Sequence, residues 1–276
     1  MKLITLIENH PGEDKQLKAE HGFSVYIEGK ETSLLFDTGQ SGDFVDNAQK
    51  LNVDLEKVTA LIISHGHYDH ANGVPRFLTT IKHHPDLIVG EGFFKQKYRT
   101  RADRSFKANG ISFEQADIIK AGSKIKTITR DTTIFNDEVV IYKNFPQTTD
   151  FENLSDQFYL KDDQEFYLDQ FSDEICLGLK TAEGLVLLVG CSHVGIINIV
   201  EAVSKRTTLP IIGIIGGTHL IAADEKRCQE TIQALKALQL KFLAVSHCTG
   251  DQHLEQLKET FGEKFLFNRT GTPICL

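Results

Sequence analysis

The sequence predicts an α/β protein, and three observations predict it. Apolar runs of strand length, Ala60–Ile63, Leu185–Val189, Ile211–Ile215 and Phe242–Val245, alternate with stretches whose apolar residues recur at helical spacing. Each of those four runs passes directly into a polar segment that carries histidine. The chain has 276 residues, 41% hydrophobic and 25% charged, which is enough apolar material for one large core or two fused halves, with no segment biased enough to be a disordered linker.

Lys2–Ile7, Phe23–Glu28 and Ser33–Phe36 read as strands, the last two joined through a hairpin turn at Gly29-Lys30. Phe44, Val45, Ala48 and Leu51 then recur at helical spacing. Ala60–Ile63 is a short buried strand leading into Ser64-His65-Gly66-His67-Tyr68-Asp69-His70, and Asn72-Gly73 marks the start of the following helix. After a strand at Asp86–Gly90, residues Glu91–Glu174 lose clear alternation and carry many charged and aromatic side chains; this stretch reads as an insertion that covers the site and selects the substrate within a single 1–276 domain. Ile175–Lys180 and Leu185–Val189 form a second hairpin that delivers Gly190-Cys191-Ser192-His193. Ile211–Ile215 leads into Gly216-Gly217-Thr218-His219, and Phe242–Val245 into Ser246-His247-Cys248-Thr249-Gly250. A helix capped by Asp224 carries Cys228, Ile232, Leu235 and Leu238 on one face, and a last helix with Leu254, Leu257 and Phe261 stops at Gly262.

Charge and composition narrow the partners. Thirty Lys and Arg against 38 Asp and Glu leave a net charge of −8, which argues against a nucleic-acid binder. The longest apolar stretch, 211–223, is interrupted by Gly-Gly-Thr-His and falls short of the roughly 20 residues a bilayer crossing needs. The N-terminal residues read as a strand and not as a signal peptide. Five cysteines, Cys176, Cys191, Cys228, Cys248 and Cys275, form an odd, scattered set without a Cys-x-x-Cys pair, which suits the cytoplasm better than an oxidising compartment.

His65-x-His67-x-Asp69-His70 places three imidazoles and a carboxylate within six residues, all of them donors suited to zinc, iron or manganese. Alternate side chains at the end of an extended segment project the same way, so His65 and His67 can hold one ion while Asp69 and His70 face a second. His10, His21, His83, His84 and His253 stand alone and read as solvated or merely hydrogen-bonded imidazoles. No Gly-x-Ser-x-Gly supports a serine nucleophile, and Gly216-Gly217 without a Walker lysine is a weak phosphate-loop signal.

Asp37-Thr38-Gly39 after a strand, followed by His65-x-His67-x-Asp69-His70, resembles the metallo-β-lactamase superfamily. The resemblance implies a four-layer αββα sandwich with one or two metals at an edge between the sheets, His65 and His67 on the first and Asp69 and His70 on the second. The later clusters at 190–193, 216–219 and 246–250 are similar to a branch described as dihydropterin-ribofuranosyl-aminobenzene phosphate synthase-like. No histidine lies between His84 and His193, where many relatives carry a further ligand ahead of the hairpin. The resemblance therefore turns to His193 for completing the first metal and to His247 as the final ligand of the second. Cys191 stands where relatives put a bridging aspartate, as a thiolate ligand or bridge, or else as a small buried hydrophobe. Asp37 is expected beneath the metal loop as an outer carboxylate, and His219 at the right sheet end for substrate contact, proton donation or a structural role.

The expected protein is a dinuclear hydrolase using a metal-activated hydroxide, with zinc first among the ions and iron or manganese as alternatives. Asp69 would orient the hydroxide, and His219 would protonate the leaving group. The expected substrate is a small phosphorylated or pterin-like anion. An ester or lactone hydrolase of the same fold and a non-catalytic metal-dependent binding or sensor protein are the competing readings. Lys95, Lys97, Arg99, Arg101 and Arg104 offer positive charge to a phosphate or carboxylate, or else form a solvated face paired with nearby acids such as Asp173 and Glu174. Oligomeric state is not legible in the sequence.

Overall fold

The computed structural model describes residues 1–30 and 32–276. In chain order the strands are β1 (Lys2–Ile7), β2 (Ser24–Glu28), β3 (Ser33–Phe36), β4 (Val58–Ile63), β5 (Asp86–Gly90), β6 (Gln96–Thr100), β7 (Phe106–Ala108), β8 (Ile125–Ile128), β9 (Thr132–Ile134), β10 (Val139–Lys143), β11 (Phe158–Asp162), β12 (Glu165–Leu168), β13 (Ile175–Lys180), β14 (Leu185–Leu188), β15 (Ile211–Gly217), β16 (Phe242–Ser246) and β17 (Pro273–Cys275). The helices are α1 (Phe44–Lys50), α2 (Tyr68–Ala71), α3 (Val74–Thr80), α4 (Gln115–Lys120), α5 (Ile196–Ser204), α6 (Glu225–Ala237) and α7 (Asp251–Phe261). Among the described residues no helix is long and apolar enough to cross a membrane. The chain forms two compact units, the first from Met1–Thr129, Ser155–Asp173 and Arg269–Leu276, the second from Arg130–Leu154 and Glu174–Asn268.

The first unit holds a seven-stranded sheet in the order β17-β1-β2-β3-β4-β5-β8. The β1-β2-β3 meander is antiparallel, with Glu28 opposite Ser33 across the expected hairpin, and β3, β4, β5 and β8 continue in parallel. Parallel neighbours need crossovers, and helical segments of the chain intervene between these strands. Leu35, Leu61, Ile63, Leu87 and Val89 of the sheet pack against Phe44 and Ala48 of α1, Val74 and Phe77 of α3, and Ile118 of α4. This is the apolar periodicity of the sequence converted into a core.

A smaller sheet, β12-β11-β6-β7, belongs to the same unit. Its strands lie in the stretch where the sequence showed no pattern. Only β11 shows a buried apolar alternation, at Phe158 and Leu160; β7 is exposed throughout, β12 is partly or fully exposed, and the buried residue of β6 is Lys97. Aromatic side chains hold it together instead: Phe106 stacks on Phe166 at 3.8 Å, and Tyr98 meets Phe166 edge-on at 5.0 Å. Lys97 of β6 is buried and ion-paired to Asp169 and Asp173, each at 2.9 Å. Those two carboxylates hold its ammonium charged, despite burial that opposes it.

The second unit is built on the sheet β16-β15-β14-β13-β10-β9. β10, β13 and β14 are antiparallel neighbours, whereas β14, β15 and β16 run parallel. β15, Ile-Ile-Gly-Ile-Ile-Gly-Gly, is buried throughout, the continuous apolar run expected of a parallel central strand. β10 is an equally buried run that the charged residues around it had hidden. The Asp224 carboxylate accepts the Arg227 N–H at 2.8 Å and caps α6, while Gly262, at φ 53°, ends α7.

Replacing Lys97 with Met leaves Asp169 and Asp173 buried without their cation, a change that costs about 3–5 kcal/mol. Chemical denaturation of Lys97→Met should show that loss, while Lys241→Met, which breaks only the exposed pair with Glu183, should leave the midpoint nearly unchanged.

Candidate metal centre

In the first unit, β3 and β4 are parallel neighbours, so the segments after Phe36 and Ile63 emerge at the same sheet end. His67 is the N-cap residue of α2, which places Asp69 and His70 in its first turn. His65, His67 and His70 are buried. His65 Nε2 lies 3.0 Å from His67 Nδ1, and the His65 and His70 ring centroids are 4.3 Å apart. Asp69 Oδ2 is 3.1 Å from His21 Nε2 and 3.8 Å from His70 Nε2. The four residues of the sequence motif are thus together.

Buried carboxylates hold this loop in place. The Asp37 carboxylate accepts the Ser64 N–H at 2.7 Å and the Ser64 hydroxyl at 2.8 Å, and pairs with His70 Nδ1 at 2.6 Å. The outer-carboxylate position expected of Asp37 is therefore seen. Asp173 accepts the Gly66 N–H at 2.8 Å. The His70 carbonyl accepts the Thr38 N–H at 2.7 Å and the Thr38 hydroxyl at 3.0 Å. A Cβ at position 66 would stand 2.4 Å from the Phe93 carbonyl oxygen, so only glycine fits between the two histidines.

The donor set suits a divalent ion. Burial first, then the neighbouring His70 and His67, push the His65 imidazole well below its usual range and favour the neutral form that ligates metal. Zinc holds imidazole nitrogen at about 2.0–2.1 Å, so two nitrogens sharing one ion lie roughly 3.3 Å apart. The 3.0 Å between His65 Nε2 and His67 Nδ1 is close to that. Asp37 on His70 Nδ1 fixes the ring so that Nε2 is the nitrogen left for an ion.

In the second unit, β14, β15 and β16 end side by side, because the parallel register pairs Leu188 with Ile215 and Gly217 with Ser246. The Glu174 carboxylate accepts the N–H groups of His193 and Val194, at 2.8 and 3.0 Å. The Ser192 hydroxyl donates to the Gly217 carbonyl at 2.8 Å. The His193 and His219 ring centroids are 4.1 Å apart. Cys248 Sγ accepts the His219 N–H at 3.3 Å and lies 3.4 Å from the Cys191 carbonyl oxygen. Donor atoms of Cys191, His219 and Cys248 all fall within 4.8 Å of one another. Burial opposes ionisation of Cys248, but its contacts with Cys191 and His219 and the field of His247 and His219 carry the thiol well below its ordinary value. His247 opens a single 3-10 turn, directly before Cys248. Asp37, Ser192, His219 and His247 all adopt left-handed backbone, with φ of 58, 59, 49 and 55°. Such conformations are uncommon for non-glycine residues and gather at functional loops.

The structure adds residues that the sequence did not single out. His21, read as solvated or hydrogen-bonded, is bonded to the site carboxylate Asp69, and nothing near it in the chain signals that. Cys248 directly follows His247 at a strand end. His10, His83 and His253 have the hydrogen-bonding roles expected of them, with Glu8, Glu56 and Cys228. The basic run also divides. Lys97 is committed to its two carboxylates, whereas the Arg99 guanidinium lies 5.7 Å from the ring centroid of Phe158, whose ring is 5.2 Å from that of His67. Gly110, bridged to His67, lines a cavity of about 730 Å³ together with Phe94, Lys95, Tyr98 and Phe113.

The family model described as "Metallo-beta-lactamase superfamily" matches residues 17–146. A 7,8-dihydropterin-6-methyl-4-(beta-D-ribofuranosyl)-aminobenzene-5'-phosphate synthase of Methanocaldococcus jannaschii is 28% identical over 282 residues, covering 96% of this chain and 93% of that one. The crystal structure of Tm1679, described as a metal-dependent hydrolase of the β-lactamase superfamily, superposes with a TM-score of 0.86 at 27% identity, over 100% of this chain and 99% of the other. Zinc-bound PqqB from Methylobacterium extorquens shares the fold at a TM-score of 0.62 and 11% identity, each chain covered in full.

Asp37→Ala removes the acceptor of two Ser64 bonds and the partner of His70. Each buried group left unsatisfied costs about 1–3 kcal/mol, so unfolding midpoints should fall accordingly. Asp37→Asn keeps the shape but presents an amide to His70, and titration calorimetry should show about 10–100-fold weaker metal binding.

Proposed function

Because the chain belongs to the metallo-β-lactamase superfamily, we propose that it is a metal-dependent hydrolase with two divalent ions, zinc first among them, acting on a small phosphorylated or pterin-like anion. The observation that carries this reading is the buried His65, His67 and His70 cluster braced by Asp37. The residues that would hold the ions are His65, His67, Asp69 and His70, with His193, His247 and Cys191 proposed as further ligands. When bound, such a pair would supply Lewis-acid charge and lower the pKa of water toward neutrality.

The chain's own residues do the rest. Asp69 is an acceptor that orients the attacking water, and His21 on its Oδ2 fixes its rotamer. His219 protonates the departing oxygen. Arg99, on the stretch 91–174 proposed to select substrate, offers a planar cation beside the His67 and Phe158 rings for a phosphate or carboxylate. The pterin and phosphate parts of the substrate class rest on the name of the Methanocaldococcus relative. A cytoplasmic location is part of the proposal, supported by an odd, scattered set of five cysteines without a Cys-x-x-Cys pair.

A screen of the metal-analysed protein against phosphomonoesters, phosphodiesters, thioesters and carboxylic esters tests the class of reaction. Turnover of a phosphorylated substrate is expected. Silence on every ester with tight retention of a small molecule would point to a binding protein. His67→Ala should lose the ions of the His65–His70 centre together with activity, by elemental analysis and assay, whereas His219→Ala should keep the ions of that centre and lose about 10²–10⁴-fold in kcat. Arg99→Ala should raise KM for anionic substrates with little change in kcat.

A further inference from the structure

We propose that Cys191, His219 and Cys248 form a third metal site, selective for a thiophilic ion such as Zn²⁺, Cd²⁺ or Cu⁺, within the second unit. The donor atoms of these three side chains lie within 4.8 Å of one another. Ligands of one tetrahedral zinc stand about 3.3–3.8 Å apart, given Zn–S of about 2.3 Å and Zn–N of about 2.0 Å, so small side-chain rotations close the site. Two sulfurs and an imidazole favour soft and borderline ions over magnesium or calcium, and three protein ligands leave a fourth position for water.

The fold places these donors independently of the first unit. Cys191 follows β14, His219 follows β15 and Cys248 follows β16, three parallel neighbours whose ends coincide. A Cβ at position 217 would lie 2.5 Å from Cys248 Sγ and 2.7 Å from the Gly190 carbonyl oxygen, so the second glycine of Gly216-Gly217 makes room for the sulfur. The Thr218 hydroxyl bonds that of Thr249 at 3.0 Å, and the Thr249 hydroxyl donates to the Ser246 carbonyl at 2.7 Å, tying the two loops together. The His219 N–H to Cys248 Sγ bond fixes the sulfur against the same loop that carries the imidazole. Cys191 is common to this set and to the ligands proposed for the pair of ions. An ion here engages the His219 imidazole, so its occupancy would silence the proton donor; only that consequence rests on the hydrolase reading.

Cobalt titration of the metal-free full-length protein tests the site. The wild-type protein should develop a sulfur-to-cobalt charge-transfer band; Cys248→Ser should lose at least half its intensity and bind one equivalent fewer, and His67→Ala should keep the band. Zinc-edge absorption of His67→Ala gives a second readout that needs no change at Cys248, with two sulfur neighbours expected at about 2.3 Å. Identical spectra and stoichiometry for wild type and Cys248→Ser, or no sulfur around zinc in His67→Ala, would overturn the inference. Cobalt bound with imidazole spectra alone would also overturn it and leave the hydrolase reading standing. A sulfur band in a protein inert to every ester would support the site and remove the hydrolase reading.

Discussion

Buried carboxylates that must find hydrogen-bond donors set the geometry of this protein. Asp37, Asp173, Glu174 and Glu152 are all buried, and each meets its need on backbone N–H groups of a loop or helix start: Ser64, Gly66, His193 with Val194, and Ile197 with Asn198. An ionised carboxylate without such partners would be too costly to bury, so the partner segments have little freedom to move. Those segments carry His65 and His67, or His193 and the helix behind it. The acids are therefore structural groups whose consequence is chemical: donors are held before any ligand arrives, and little ordering entropy is left for binding to remove.

Strand direction supplies the second constraint. Parallel strands end together, so in the second unit His193, His219 and His247, separated by long stretches of chain, arrive at one edge of a rigid sheet. In the segments that follow β3, β14, β15 and β16, Asp37, Ser192, His219 and His247 take left-handed backbone that their side chains disfavour. The surrounding bonds stabilise that strain, among them the Ser192 hydroxyl on Gly217 and the His219 N–H on Cys248.

Much of this is legible in the sequence because it is local. Strands β1, β3, β5 and β13 have the bounds their apolar runs indicate, and the Asp224 cap and Gly262 stop lie where side-chain chemistry requires them. The motif His65 to His70 is compact enough to read directly, and the place of Asp37 follows from the resemblance that Asp37-Thr38-Gly39 carries. What stays hidden is whatever depends on distant pairing. The four-stranded sheet is cemented by ring contacts such as Phe106 on Phe166, which leave no apolar period along the chain. Lys97 looks like any surface cation until Asp169 and Asp173 surround it. His21 acquires meaning only from Asp69, far along the chain.

The central claim is that the carboxylate-braced imidazoles form a metal centre. A crystal structure of the zinc-loaded protein, with anomalous differences recorded on both sides of the zinc edge, tests it most directly. The account predicts an anomalous peak at about 2.0–2.1 Å from nitrogens of both His65 and His67, with Asp37 still on His70 Nδ1. Density free of any anomalous peak at those imidazoles, in crystals grown with zinc in excess, would contradict it.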